Sequence, residues 1–335
     1  MRWTVTTRAL RDTALALAAL AAFAAATTPA WAQGETNYPT KPIRLVVGFG
    51  AGGGTDLLTR IVAQKLSENI GQAVVIENRT GAGGRIAIEY VQSQPADGHT
   101  VAIGAIGQLA VTTAIYPNLP FHPTRTLIPV AMLSSYPLVI AAQASDTIKT
   151  VQELVAFGKA NPDKSNYPSS SPTFTISTEL FKLKTGMPGT MIPYRSSNEM
   201  MLNLTSKQGL FAFVDSGVTV PLAQGGKVRV LAVASAARIP ELPDVPTLTE
   251  AGLADVAVPP QWNGAFLVAG TPPAIVRKLE AELRKVIADP GVRDKIRAIS
   301  FYPEGAPSAE FRARIDADIK VFADVMKAAN LKFEQ

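Results

Sequence analysis

The residues best suited to chemistry are those of Gly48-Phe49-Gly50-Ala51-Gly52-Gly53-Gly54-Thr55-Asp56. A stretch with so few side chains leaves its backbone N–H groups uncovered. Where it opens onto a helix, those amides stand beside the positive end of the helix dipole and attract an anion. The same residues spell Gly48-x-Gly50-x-x-Gly53, and Glu77 follows at about the distance expected of a ribose 2′-OH acceptor. One reading is therefore a nucleotide-dependent oxidoreductase, and the other is an anion receptor without catalysis. Three successive glycines make the six-residue pattern easy to match by chance, which weakens the first.

Other catalytic signatures are sparse. The chain has no cysteine, which removes thiolate nucleophiles, cysteine metal sites and disulfides together. Its two histidines, His99 in a turn and His122 in Leu119-Pro120-Phe121-His122-Pro123, have no partner at metal spacing. The patterns H-E-x-x-H, G-x-S-x-G and G-x-x-x-x-G-K-[ST] are missing. Asp56, Glu77 and Asp215 fall at strand or helix ends, where capping or packing accounts for them. No catalytic residue, metal site or cofactor is expected.

These groups need elements to position them. Residues 43–47 are a short β-branched run, as in a buried parallel strand, and an amphipathic helix follows with Thr55 or Asp56 as its N-cap. Residues 73–77 and 100–104 repeat the theme, each ending in a loop of small residues, one before a helix at 86–91 and one at Gly104-Ala105-Ile106-Gly107-Gln108. In a parallel α/β sheet all three loops lie at the carboxyl edge, where such folds bind ligands. Further on, helices are expected at 151–160 capped by Thr150, at 175–184 stopped by Gly186, at 199–206, from Thr271 as N-cap through 287, and at 308–329. Strands are expected at 190–193, 210–214 and 228–234. Two apolar segments, 130–141 and 262–269, flank the middle third. If both pass between sheets, that third is a domain inserted into the first, joined to it by a two-stranded hinge.

Arg2, Arg8 and Arg11 precede an apolar stretch at 14–26, and Ala30-Trp31-Ala32 closes it. Charged start, short apolar centre and A-x-A end are the parts of a secretory signal peptide. Residues 1–32 are expected to be removed near Ala32, leaving an exported chain. Removal takes the net charge from +5 to +3, with cations scattered among carboxylates, so no nucleic acid is expected as a partner.

The residues also resemble a known family, the TctC/Bug periplasmic receptors of tripartite tricarboxylate transporters. The likeness runs through Tyr38-Pro39-x-Lys41-Pro42-Ile43-Arg44, Phe49-x-x-Gly52-Gly53-x-x-Asp56, Glu77-Asn78-Arg79-x-Gly81-Ala82-Gly83-Gly84 and Pro95-Ala96-Asp97-Gly98. It continues through Pro193-Tyr194-Arg195, Leu231-Ala232-Val233, the segment 242–252, Trp262 and Thr271-Pro272-Pro273. The resemblance implies an α/β, two-domain periplasmic-binding-protein (Venus flytrap) fold with two crossing hinge strands. The expected division is domain 1 at 33–141 and 261–335, with domain 2 at 142–260. It implies a monomer that takes a small carboxylate, an organic acid or acidic amino acid, and serves membrane permease subunits or a sensor. By the same resemblance, Phe49, Gly50, Ala51, Gly52, Gly53, Gly54, Thr55 and Asp56 grip one carboxylate, and Gly104, Ala105 and Gln108 line the wall. From the second domain, Ser169, Ser170, Ser171, Thr173, Tyr194, Arg195, Ser196 and Asp215 face the cleft. The chain departs from the family at Gly48, Gly50 and Gly54, where prolines are usual. It also departs at Ser171-Pro172 and Ser196, and at Arg85, where a small polar residue is usual.

Overall fold

The computed structural model describes residues 37–116, 118–144, 147–256 and 259–330. The expected leader and the start of the mature chain lie outside them. The chain opens with β1 (Ile43–Val47), α1 (Gly54–Ile70), β2 (Val74–Asn78), α2 (Arg85–Gln92) and β3 (Thr100–Ala105). A π-helical turn at Gly107–Val111 runs into the short α3 (Thr112–Ile115). Then come β4 (Leu127–Tyr136), β5 (Leu138–Gln143), α4 (Val151–Ala160), β6 (Tyr167–Ser169) and α5 (Pro172–Thr185). The middle of the chain continues with β7 (Met191–Pro193), α6 (Ser197–Thr205), β8 (Phe211–Asp215), α7 (Ser216–Gln224) and β9 (Val228–Ala234). It ends with β10 (Gln261–Val268), α8 (Pro273–Ala288), α9 (Pro290–Ala298), β11 (Tyr302–Pro303) and α10 (Ser308–Ala328).

These strands make a six-stranded sheet in the order β11-β4-β10-β3-β1-β2, a three-stranded sheet β8-β5-β9, and the pair β6-β7. The α/β fold class is the one expected. β1 pairs parallel with both β2 and β3, with Leu45 opposite Ile76 on one side and Val101 on the other. All six residues of β3 and all eight of β10 are buried, as strands covered on both faces must be. On the six-stranded sheet, Phe311 of α10 meets the Trp262 ring edge-on at 4.9 Å and Phe266 at 5.3 Å. The three-stranded sheet has its own aromatic core, with Phe181 5.6 Å from Phe211 and 5.8 Å from Phe213.

The chain changes sheet twice. The apolar segment 130–141, expected as one run, is two strands parted at Pro137. Proline has no N–H for a ladder, so β4 ends in the large sheet and β5 begins in the small one. The return runs from the end of β9 to the start of β10. Part of it lies beside β9, where Val233 accepts from Leu248 N–H at 2.9 Å and donates to Pro246 O at 2.9 Å. The C-terminal region adds a third tie, Ser216 Oγ to Ser300 O at 2.7 Å.

Three local expectations are corrected. The N-cap of α1 is Gly53, not Thr55 or Asp56, because the helix starts as soon as the extended Gly53 backbone allows. Thr55 instead donates to Asn263 Oδ1 at 3.0 Å. Pro272, not Thr271, precedes α8, and Thr271 Oγ1 turns back to Val268 O at 2.8 Å. Helices α7 and α9 were not expected: α7 begins Ser-Gly and carries Pro221, which disguise it as loop. The Thr150 cap of α4, by contrast, is as expected, and the structure completes it as a capping box, with Thr150 and Glu153 each bonding the other's backbone N–H.

Trp262 Nε1 donates to Asp318 Oδ2 at 2.8 Å, and both residues are buried. Trp262→Phe removes the donor and leaves the Asp318 carboxylate with Arg314 as its remaining side-chain partner. The expected loss is about 1–3 kcal/mol of unfolding free energy in urea titration. A change below about 0.5 kcal/mol would show that Asp318 does not depend on this bond.

Candidate ligand-binding site

Four helices begin at the gap between the two sheets. Gly53 and Gly54 start α1 from the large-sheet side. Ser171, Ser196 and Asp215 are the N-caps of α5, α6 and α7 on the other side. The pocket between them is narrow, about 20 Å³, space for about one water. Its walls are Phe49, Gly53, Gly54, Thr55, Ala105, Tyr136 and Phe301 from one side, and Ser170, Ser171, Phe174, Ser197 and Asp215 from the other.

The four N-termini differ in one respect that decides what they can do. Ser196 caps α6 by accepting from Glu199 N–H at 3.2 Å, and Asp215 caps α7 by accepting from Val218 N–H at 3.3 Å. No side chain caps α1 or α5. Two positive helix ends from opposite halves thus face one pocket with their first N–H groups uncapped by side chains, the arrangement that holds an anion.

The glycine turn is held by Asp56. Its carboxylate accepts from Gly52 N–H at 2.9 Å, Asn78 Nδ2 at 2.9 Å and Arg60 Nε at 2.8 Å. Burial opposes the charge, but these donors together hold the Asp56 carboxyl below the usual range. Asp215 differs. It is 4% exposed, and among the described residues it forms no ion pair. Burial pushes its carboxyl up, against the opposing bonds from Ser197 and backbone N–H groups. The phenol of Tyr136 is likewise pushed up, by burial and by the Asp215 charge.

Of the residues expected at the site, eight line this pocket: Phe49, Gly53, Gly54, Thr55, Ala105, Ser170, Ser171 and Asp215. Ser169, Tyr194 and Arg195 line outer parts of the same cleft, which share Ser170 with the inner pocket. The others stand behind or beside it. Gly50 N–H donates to Arg195 O across the gap at 2.9 Å, and an added Cβ there would lie 3.1 Å from Ser196. Ala51 is exposed, and Gly52 has the positive φ of 79° that only glycine adopts readily. Gly104 packs against Leu109 and Phe266. Gln108 is fully buried and braces two loops, donating to Gly84 O at 2.7 Å. Thr173 is 1% exposed, with no partner for its hydroxyl. Sequence reasoning missed Tyr136, Phe174, Ser197 and Phe301. Tyr136 and Phe301 stack at 4.3 Å, although they lie 165 positions apart and no local pattern joins them.

The groups needed by the oxidoreductase reading are engaged elsewhere. Glu77 bonds Arg79 at 2.6 Å and lies 3.6 Å from Arg44. His122 Nδ1 accepts from Thr124 N–H at 3.2 Å, and burial and Arg125 push its pKa down. Among the described residues, no cluster of three or more His, Cys, Asp or Glu could hold a metal ion.

The chain's similarities agree with this geometry. The model of a family described as "Tripartite tricarboxylate transporter family receptor" matches residues 58–331. A Cupriavidus necator protein, "UPF0065 protein in gbd 5'region", is 35% identical over 290 residues, covering 85% of this chain and 86% of its own. The structure of the periplasmic binding protein BugD superposes with a TM-score of 0.84 at 27% identity, over 89% of this chain and 100% of its own. R. palustris Rpa4515, solved with adipate, gives 0.82 at 32% identity, over 88% of this chain and 99% of its own. The two-domain periplasmic-binding-protein fold is thereby shown.

Asp56 and Asp215 have opposite consequences for stability. A carboxyl held low in the fold adds stability above its unfolded value of about 3.9 and loses it as pH falls through the lower folded value. A carboxyl held high does the reverse, its protonated form being favoured until pH rises through the raised folded value. The stability difference between wild type and Asp56→Asn is therefore expected to grow from pH 3 to pH 6. For Asp215→Asn it is expected to move against the wild type as pH rises from 4. Urea melts across pH check both, and a flat difference for either would contradict the assignment.

Proposed function

The chain belongs to the tripartite tricarboxylate transporter family of receptors, and from that premise we propose that it captures a small carboxylate in the cleft described above. It is a solute-binding receptor by family. The finer reading concerns its ligand and partners. The observation that carries it is the pair of uncapped helix starts, Gly53 and Ser171, meeting from opposite halves over one pocket. One carboxylate sits at the start of α1, with Phe49 against the ligand body. Ser170, Ser171, Ser197 and Thr55 supply hydroxyls, and Asp215 meets a hydrogen-bond donor of the ligand. The halves close about the crossings at Pro137 and before β10, which makes a lobe of residues 39–136 with 261–330 and a lobe of 138–256. The receptor works in the periplasm after loss of residues 1–32, and hands its cargo to a membrane permease or reports it to a sensor.

Magnitudes are consistent with reversible capture. Charge-assisted hydrogen bonds contribute about 1.5–3 kcal/mol each, and micromolar binding needs about 8 kcal/mol. Three or four such bonds total about 4.5–12 kcal/mol before the costs of association, so burial of the ligand body supplies the rest. Neutral amides also leave the ligand free to depart once the lobes part.

The test begins with a thermal-shift screen of organic acids and acidic amino acids. A ligand at a hundred times its Kd adds about 2.7 kcal/mol, a rise of several degrees. Gly53→Asp is the decisive variant. Gly53 has φ −75°, which any residue adopts, and an added Cβ would come no nearer than 3.4 Å to Gly50 O and Ser197 Oγ. An aspartate there suits the N-cap of α1, so the free protein should melt no lower. Its charge occupies the anion site, so the carboxylate shift should vanish. Calorimetry showing undiminished affinity in Gly53→Asp would move the site elsewhere. NADH serves as control and should bind neither protein.

A further inference from the structure

We propose that the outer compartment of the cleft is a second anion subsite centred on Arg85, and that the ligand is an extended two-headed acid. One head lies at the start of α1 and the other meets the Arg85 guanidinium. The inference rests on the carboxylate reading above and specifies it.

The outer compartment is larger than the inner, about 310 Å³ against 20 Å³, and the two share Ser170 and Ser171 as a common wall. Arg85 is the single charged residue among those lining it. A cation without an acidic neighbour in a cavity attracts an anion from solution unless an internal one satisfies it. Among the described residues Arg85 forms no ion pair. Its contact is the face of Tyr116, whose ring centroid is 5.2 Å from the guanidinium carbon. That contact orients the side chain and leaves its N–H fork unsatisfied by any carboxylate. The planar fork matches a carboxylate in two-point fashion.

The position of Arg85 in its helix strengthens the argument. It is the first residue of α2, whose N-cap is Gly84 and whose first turn holds no acidic residue. A cation at the positive end of a helix is unfavourable, so this arginine is not there to stabilise α2. An anion beside it relieves both charges at once. Ile115, Pro172 and Met191 give the compartment apolar surface, and Thr112, Ser169, Ser170, Ser171 and Thr175 give it hydroxyls. The apolar part suits a methylene or aromatic spacer between two acid heads.

Isothermal titration calorimetry of the exported protein tests this, with succinate, adipate and suberate set against hexanoate and octanoate. The longer diacids should bind at least tenfold tighter than monoacids of equal length, and tighter than succinate. Arg85→Gln should erase the preference, weakening suberate about tenfold while leaving octanoate unchanged, and Arg85→Lys should restore part of it. If octanoate matches suberate in the wild type, or Arg85→Gln leaves suberate unaffected with an unchanged melting curve, the outer subsite is refuted while the carboxylate reading stands. If no acid binds at all, both fall.

Discussion

A turn made of glycine can offer its amides to a ligand only if something else fixes its shape, and here that is the Asp56 carboxylate. Glycines lose the most backbone freedom on folding, so a run of them resists order unless anchored. Asp56 anchors this run from inside α1, receiving Gly52 N–H from one side and Asn78 Nδ2 from the other. Asn78 Nδ2 also reaches Phe49 O at 3.0 Å, so the end of β2 holds the same turn. Arg60, one helical turn on, compensates the charge. Gly50 and Gly52 N–H are spent within the fold, so the main-chain amides left facing the pocket are those at the start of α1, and the anchoring acid is not among the pocket's walls.

What the anchor makes available is electrostatic. Preorganised amides at a helix end need no rearrangement to receive an anion, and they act in a gap where water is largely excluded. The second sheet contributes three more helix starts, but two of them are closed by Ser196 and Asp215. Only α5 matches α1 in lacking a side-chain cap. At the inner pocket each half thus brings one helix start without a side-chain cap.

Much of this was legible in the sequence, and the limits have physical causes. The β1 strand, the glycine turn and the parallel order of β1, β2 and β3 follow from β-branched runs punctuated by glycine, a local signal. The role of Asp56 was read as a helix cap because an acid near a helix start usually is one. Its actual partners lie on β2 and in the turn, 22 and 4 positions away, and only the folded chain brings them together. Gln108 was read as cleft wall because it follows a strand tip. It lies instead behind that tip, where an added Cβ on Gly48 would strike it. The aromatic wall of Tyr136 and Phe301 is tertiary in origin, and helix α7 is hidden by its Ser-Gly start and Pro221. Residues 1–32 lie outside the described structure, so the leader rests on its composition.

Closure sets two carboxylates against each other. A Cβ on Gly54 would stand 2.6 Å from Asp215 Oδ1 and 2.7 Å from Phe301, so the start of α1 is nearly in contact with the start of α7. With the halves this close, the positive end of α1 partly offsets a buried acid that has no cation of its own. That attraction favours closure, and it also sets a condition on cargo. An incoming carboxylate draws on the same amides and stands near the same acid, and two like charges in a low-dielectric gap repel strongly. Burial already biases Asp215 toward its protonated form, which lowers the cost of sharing. A ligand that brings a donor to Asp215 lowers it further, because the acid then gains a partner in place of a rival. On the proposed carboxylate reading, Asp215 favours an acid that brings it a donor over one that does not.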